Sequence, residues 1–366
     1  MRFCIQRETL LRPLNQVVGV VERRGTLPVL SNVLVHVEDG LVGLTGSDHE
    51  VEMYAEAQAE ETEAGDITVP ARKLFDIVRA LPDGSRIQFQ QTGERVSLKA
   101  GRSRFTLSTL PASEFPSVDD IAAVDRVSLT ETSLKELIDR TGFAMAHQDV
   151  RYYLNGLLLE LRDGALRCVA TDGHRLAMCE SLVPGAQRSE RQLILPRKGV
   201  LELQRLLDNG EGMVEIEFGK NHMRARCGSF VFTSKLIDGR FPDYEAVIPI
   251  GADRKVLLSR DELRASLGRV GILSNEKYRG VKLEVSPNRL RIVAHNPEQE
   301  EATEEIEAET SVEELAVGFN VNYLLDALGA LRDLKVLLCL RDGNSSCLIR
   351  DAEDGRAQHV VMPLRL

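Results

Sequence analysis

One pattern recurs three times at a spacing of 124 residues, and it constrains this chain more than any single motif. The segments NVLVHVEDGLVGLTGSD (32–48), NGLLLELRDGALRCVATD (155–172) and GVKLEVSPNRLRIVAHN (280–296) each read as two alternating strands around a tight turn. The turn pairs Asp39-Gly40, Asp163-Gly164 and Pro287-Asn288 keep that spacing, and a polar corner residue (Asp48, Asp172, Asn296) follows eight positions after each. Asp-Gly between alternating apolar runs is a strong hairpin signal, because both turn positions need positive φ. A helical pattern precedes each hairpin (from Thr9, Ser133 and Ser259) and another follows (from Pro70, Pro196 and Asn320). Ser133 and Ser259 are expected as amino-terminal caps, with Asp261 and Glu262 favouring the positive end of the helix dipole, and proline is expected in the first turn. Further strands follow in RIQFQQ, RFTLSTL, MVEIEF, FVFTSKL, KVLLCL and HVVMPLRL. The chain is therefore an α+β protein that writes helix, hairpin, helix and strands three times, each copy a full domain rather than a short solenoid repeat. The boundaries fall near 119–127 and 250–256, giving domains at 1–125, 126–252 and 253–366.

Composition narrows the class. With 43% hydrophobic and 28% charged residues the chain reads as an ordinary soluble protein. No apolar run is long enough to cross a bilayer and the first ten residues lack a signal peptide's hydrophobic stretch, so a cytoplasmic protein is expected. Cys4, Cys168, Cys179, Cys227, Cys339 and Cys347 form no CxxC pair and sit among apolar neighbours, as buried thiols do. The net charge of −10 is unevenly spread. The six helical segments hold 16 basic and 12 acidic residues, leaving 30 basic and 44 acidic elsewhere. That direction suits a ring with helices inside and acidic sheets outside, whose lumen attracts phosphates. Arg24, Arg72, Arg79, Arg197, Lys198 and Arg205 are the cations expected to line it. No base-reading motif is present, so contacts would go to the backbone and carry no sequence information.

With the repeats laid out, the sequence resembles the beta subunit of bacterial replicative DNA polymerases, the sliding clamps. The resemblance runs from Met1 to Leu366. It is most specific in AHQDVRYYLNG (146–156), ATDGHRLA (170–177), FTSKLIDGRFPDY (232–244), SNEKYRGVKL (274–283), AHNPEQEE (294–301) and VMPLRL (361–366). It implies a head-to-tail homodimer of three-domain protomers around double-stranded DNA, six clamp domains with paired helices inside and antiparallel sheets outside. It also implies partners that insert a short linear motif: the replicative polymerase alpha subunit, the clamp-loader complex and other replication and repair proteins.

Three sites carry over from the resemblance. A partner-peptide pocket comprises Tyr153, Leu154, Thr171, Gly173, His174, Arg175, Leu176, Pro242, Val247, Asn320, Tyr323, Ser346, Val360, Met362, Pro363, Leu364 and Arg365. Only the second repeat's corner reads Thr-Asp-Gly-His-Arg, so one pocket per protomer is expected, and Asn344-Ser345-Ser346 is more polar than the aliphatic wall the family implies. A closing seam sets Lys73, Arg102, Arg104, Phe105 and Leu107 against Ile272, Leu273, Glu298, Glu300, Glu301 and Glu304, a basic end meeting an acidic one with apolar anchors on each. A DNA-touching tongue consists of His147, Gln148, Arg151, Tyr152 and Tyr153, with one tyrosine expected to serve the fold or the pocket. No cofactor or metal is implied.

Two other readings stand beside this one. Asp172 with His174 could mark a hydrolase, and three repeats could form a peptide-binding scaffold that is not a ring. Against the first, no GxSxG, P-loop, HExxH or GxGxxG occurs and the seven histidines lack ligand spacing.

Overall fold

The computed structural model describes residues 1–22, 27–116, 122–183, 190–207, 210–228 and 230–365. Six α-helices are present among them: α1 (Arg7–Val17), α2 (Ala71–Ala80), α3 (Glu131–Asp139), α4 (Arg197–Leu206), α5 (Arg260–Val270) and α6 (Val321–Ala330). All three expected hairpins form. Asp39 and Gly40 take φ of 48° and 79°, and Asp163 and Gly164 take 53° and 75°, the double positive φ of a type I′ turn. In the third, Asn288 takes the left-handed position (φ 60°) after Pro287.

Helix starts depart from expectation at Ser133 and at the two prolines. Ser133 lies inside α3, and the Thr130 hydroxyl accepts the Ser133 amide at 3.1 Å, so Thr130 begins the helix three residues earlier. Pro70 and Pro196 end strands, and their helices begin at the next residue. Ser259 caps α5 as expected by accepting the Glu262 amide.

The strands pair across repeats as well as within them. One eight-stranded sheet joins the second repeat's strand Phe230–Lys235 to the first repeat's Val51–Gln58, with Ser234 opposite Val51. A second joins the third repeat's Ala357–Val361 to the second repeat's Arg175–Leu182, with Val361 opposite Arg175. Compact units therefore cut across the repeats: Met1–Leu134 with Lys198–Leu236, and Lys135–Arg197 with Ile237–Leu366. The first unit also holds a five-stranded sheet ending in Ser103–Ser108, and the second a four-stranded sheet ending in Glu301–Glu307. All six cysteines are free and buried. None of the described helices is long and apolar enough to cross a membrane.

The second unit buries polar groups as well as hydrocarbon. Arg140, just past α3, reaches Glu136 at 3.0 Å and both Asp351 and Asp354 at 3.3 Å, and Asp351 also accepts the amides of Arg332 and Asp333. Beside this cluster His359 is buried, its Nδ1 3.2 Å from the Ala327 carbonyl. Burial, with the Arg140 charge adding, depresses its pKa to about 4. The folded state thus prefers the neutral ring. The stability this confers is present above about pH 6.5 and is lost as pH falls towards 4, amounting to about 3 kcal/mol across that window. Denaturant unfolding at pH 7 and pH 4.5 should show the loss, and His359→Phe should flatten it. An unchanged slope in the variant would assign the loss to other groups.

Candidate peptide-docking site and nucleic-acid interface

The corner of the second repeat is a tightly bonded turn. Asp172 Oδ1 accepts the amides of His174 (2.9 Å) and Arg175 (3.1 Å), and the Thr171 hydroxyl donates to the Arg175 carbonyl while accepting the Gly173 amide. Gly173 has φ of 88°, so the backbone favours glycine there, and a Cβ would sit 3.0 Å from the Arg151 guanidinium, which would have to give a little. Arg175 fans out to Asp172 (3.1 Å), the Phe143 carbonyl (2.9 Å) and Asp326, with its guanidinium 4.7 Å from the centre of the Tyr323 ring. The His174 ring stacks on Tyr323 as well. The His174 carbonyl accepts the Met362 amide at 2.9 Å, which draws the terminal segment alongside.

Next to this corner one sheet face supplies an apolar floor. Leu158, Val169, Leu176, Met178, Ile194 and Val360 are buried there, with Phe241 and Tyr244 lying on them and Tyr153, Val247 and Leu348 partly buried at the margin. Alternation explains the floor: cross-strand partners Leu158, Val169 and Met178 point to one side while their sequence neighbours point to the other. Of the residues expected in a pocket, Tyr153, Leu176, Val247 and Val360 share this cluster, Leu154 is buried separately, and Pro242 is exposed on the segment that crosses it. Asn320 caps α6 through the Asn322 amide and donates to the Tyr278 carbonyl. Leu364 and Arg365 line a neighbouring cavity of about 360 Å³ with Tyr278, His295 and Asn296. Pro363 and Ser346 are half-buried, outside the cluster. The residues that sequence reasoning missed, Leu158, Val169, Met178, Ile194, Phe241 and Tyr244, look like ordinary core until the sheet order is known.

The tongue is held as a unit. Asn155 accepts the Asp149 amide and donates to its carbonyl, both at 2.9 Å, and Arg151 chelates the Asp149 carboxylate. The bound Arg151 holds that carboxyl down to about 2. Tyr152 is 56% exposed while Tyr153 turns into the apolar cluster, and their rings meet edge to face. His147 and Gln148 are exposed.

The expected lumen cations differ in how far they are committed. Arg24 lies outside the described residues. Arg72 is exposed on α2, and Arg79 pairs with Asp76 at 2.8 Å. Lys198 is paired with Asp48, and Arg197 donates to the Met145 carbonyl. Arg205 donates to the carbonyls of Asn15 (3.0 Å) and Gln16 (2.7 Å), capping the end of α1.

The seam candidates sit on two open sheet edges. Arg102 and Arg104 are exposed at Ser103–Ser108, with Phe105 half-buried and Leu107 buried, and Lys73 is exposed on α2. At the other edge Ile272 is 73% exposed, Leu273 is half-buried, and Glu298, Glu300 and Glu301 are exposed. Glu300 accepts from the Asn296 side chain, and Glu304 pairs within the chain with Arg269 at 2.6 Å.

Comparison with known proteins agrees with this architecture. The amino-terminal, central and carboxy-terminal domain models of the DNA polymerase III beta subunit match residues 1–119, 128–243 and 245–365. The beta sliding clamps of Pseudomonas putida and Escherichia coli are 54% and 51% identical, with both chains covered fully in each case. A crystal structure of the Pseudomonas aeruginosa sliding clamp bound to griselimycin is 54% identical and superposes with a TM-score of 0.98, and one from Caulobacter crescentus is 38% identical at 0.93, each covering 100% of both chains. Three tandem clamp domains, matched in order over nearly the whole length, leave one assignment: the chain belongs to the DNA polymerase III beta subunit family, the bacterial sliding clamps.

Proposed function

We propose that two copies of this chain close head to tail around duplex DNA and hold replication proteins on it, with domains dividing at 1–125, 126–252 and 253–366. The observation that carries the ring is a pair of unmatched sheet edges. At both internal junctions the last strand of one repeat pairs with the strand after the corner of the repeat before it. By that rule Ser103–Ser108 of one protomer follows Glu301–Glu307 of its partner, and a contact of this kind made twice closes a ring. The register transfers too. Gln299 is equivalent to Val51 and Arg175 by the 124-residue spacing, and the matching turns Ala100–Ser103 and Cys227–Phe230 align Leu107 with Ser234. Leu107 then faces the partner subunit's Gln299 and Arg104 the partner subunit's Ala302. Arg102 and Arg104 fall on the same face as the partner's Glu300 and the partner's Glu304. Joining the edges also removes two exposed strands that would otherwise invite aggregation.

Oxidising a variant carrying both Arg104→Cys and Ala302→Cys is expected to give a covalent ring, since directly opposed residues lie within disulfide reach and the six native thiols are buried. The linked ring should remain on a nicked circular plasmid through gel filtration and run off once the plasmid is cut. Equal retention on circular and linear DNA would reject encirclement and leave the scaffold that is not a ring.

Within the ring, exposed Arg72, the tongue residues His147, Gln148 and Tyr152, and Arg24 make sequence-independent backbone contacts. Arg79, Arg197, Lys198 and Arg205 add positive potential while serving the fold. The corner and apolar floor of the second repeat receive the linear motifs of the polymerase alpha subunit, the clamp loader and repair partners, a few anchors carrying most of the affinity. The setting is the cytoplasm, and no cofactor takes part. The hydrolase reading has no support: the Asp172 carboxylate is engaged by the turn and by Arg175, and the His174 ring stacks on Tyr323.

A further inference from the structure

The motif ending in Phe-Pro-Asp-Tyr puts one polar side chain into the apolar floor. Tyr244 is only 3% exposed, and its hydroxyl donates to Glu160 at 2.5 Å while accepting from Arg167 at 2.8 Å. Around it lies a row of cross-strand partners: Gln192 donates to the other Glu160 oxygen at 2.7 Å, and Arg167 grips Glu180 at 2.8 and 3.0 Å. The same row exists in the other repeats, as His36, Gly43, Glu56 and Asp66, and as Glu284, Arg291 and Glu305. There it is open to solvent, with the His36 side chain 45% and that of Glu284 31% exposed, against 6% for Glu160. In the first repeat a tyrosine of the sheet itself, Tyr54, lies over Gly43 and donates to Glu56 at 2.6 Å. Among the described residues, only the repeat carrying the Thr-Asp-Gly-His-Arg corner has its row roofed by a tyrosine from a segment that crosses the sheet.

What the tyrosine holds is the lip of the docking site. The segment 237–248 is tied at one end by the Ile237 amide on the Ile194 carbonyl (2.9 Å) and at the other by the buried Tyr244 hydroxyl, with the exposed pair Glu245–Arg162 (2.8 Å) beside it. Pro242 is exposed between those ties, and Val247 follows in a one-turn helix whose amide bonds back to the Tyr244 carbonyl at 3.1 Å. A buried hydroxyl shared between a carboxylate and a guanidinium has one favourable position, and leaving it breaks a charge-assisted bond on each side, although Glu160 keeps Gln192 and, at 3.4 Å, Arg167 as partners. We infer that Tyr244 is a positioning residue of the peptide-docking site, its hydroxyl locked between Glu160 and Arg167 so that Pro242 and Val247 stand preformed at the lip. This rests on the reading that linear motifs dock here.

Tyr244→Phe tests it with little change of volume. The probe is a fluorescein-labelled synthetic peptide with leucine and phenylalanine anchors, titrated by anisotropy against the full-length dimer. The variant should bind five- to tenfold more weakly through a faster off-rate, with unchanged dimerisation and faster hydrogen exchange at Val247 and Ile248 alone. Because Tyr244 acts through the lip, Val247→Ala should cost less in the Tyr244→Phe background than in the native one. Native affinity in Tyr244→Phe, or strictly additive losses, overturns the inference. Should Tyr244→Phe fail to fold, Gln192→Ala disturbs the same lock from its exposed side and should weaken binding about threefold, native affinity again overturning it. Leu176→Ala separates the two claims. If it abolishes binding while Tyr244→Phe does not, the lock alone is wrong; if it leaves binding intact, the docking site itself is misplaced.

Discussion

Replacing Ile272 and Leu273 together by alanine is expected to turn the dimer into monomers. Ile272 is 73% exposed at the end of α5, in the one-turn helix Gly271–Leu273, beside the open edge Glu301–Glu307. A large aliphatic left in water on a folded chain, with carboxylates around it, is how the centre of an interface looks in a lone protomer. The charges at this edge set register and partner choice but are screened by salt, so the apolar pair supplies most of the affinity. Removing both should cost about 3–4 kcal/mol, a rise of about 10²–10³-fold in Kd. Sedimentation at nanomolar to micromolar protein reads this directly, and retention on circular DNA should vanish in parallel. A double variant that stays dimeric throughout that range would move the seam elsewhere.

Arg140→Ala should cause a large loss of stability in the second compact unit. The Arg140 side chain is 3% exposed and faces Asp351, which is fully buried, as well as Glu136 and Asp354. Deleting the cation leaves carboxylates in a medium that solvates them poorly, and breaking a buried pair in this way costs about 3–5 kcal/mol. Two amide donors to Asp351, from Arg332 and Asp333, soften the loss without replacing the charge. Arg356 is the contrasting case. It also bonds Glu136 and Asp354, yet half of its side chain is in solvent, so Arg356→Ala should cost no more than about 1 kcal/mol. Equilibrium denaturation of the two variants should separate them clearly, and equal losses would mean that burial is not what gives the cluster its weight.

The three hairpins were legible because period-two alternation and turn chemistry are local: nothing distant decides whether Asp39-Gly40 or Asp163-Gly164 adopts positive φ. The start of α3 was less so, since Ser133 and Thr130 both suit a cap and only the bonded geometry chooses between them. Long-range partners were beyond reach. Lys198 looks like a solvated cation until Asp48, 150 residues earlier, is beside it, and Arg205 looks the same until the end of α1 is. The candidate docking site was half visible. Its corner is a distinctive string, but Leu158, Val169 and Ile194 are hydrophobic residues in strands like many others. Tyr244 gave no sign that its hydroxyl meets a carboxylate 84 residues away.

Strand sharing between neighbouring repeats bears on how the molecule can come apart. Excising the first repeat would leave Val51–Gln58 without Phe230–Lys235, a bare ladder of amides and carbonyls with no hydrogen-bonding mate. Such a piece should be sticky and short-lived. Melting should spread from one repeat into the next, and the cooperative foldons seen by native-state exchange should straddle the tandem copies. Evolution could vary the three sequences widely, but it could not discard one without unravelling its neighbour.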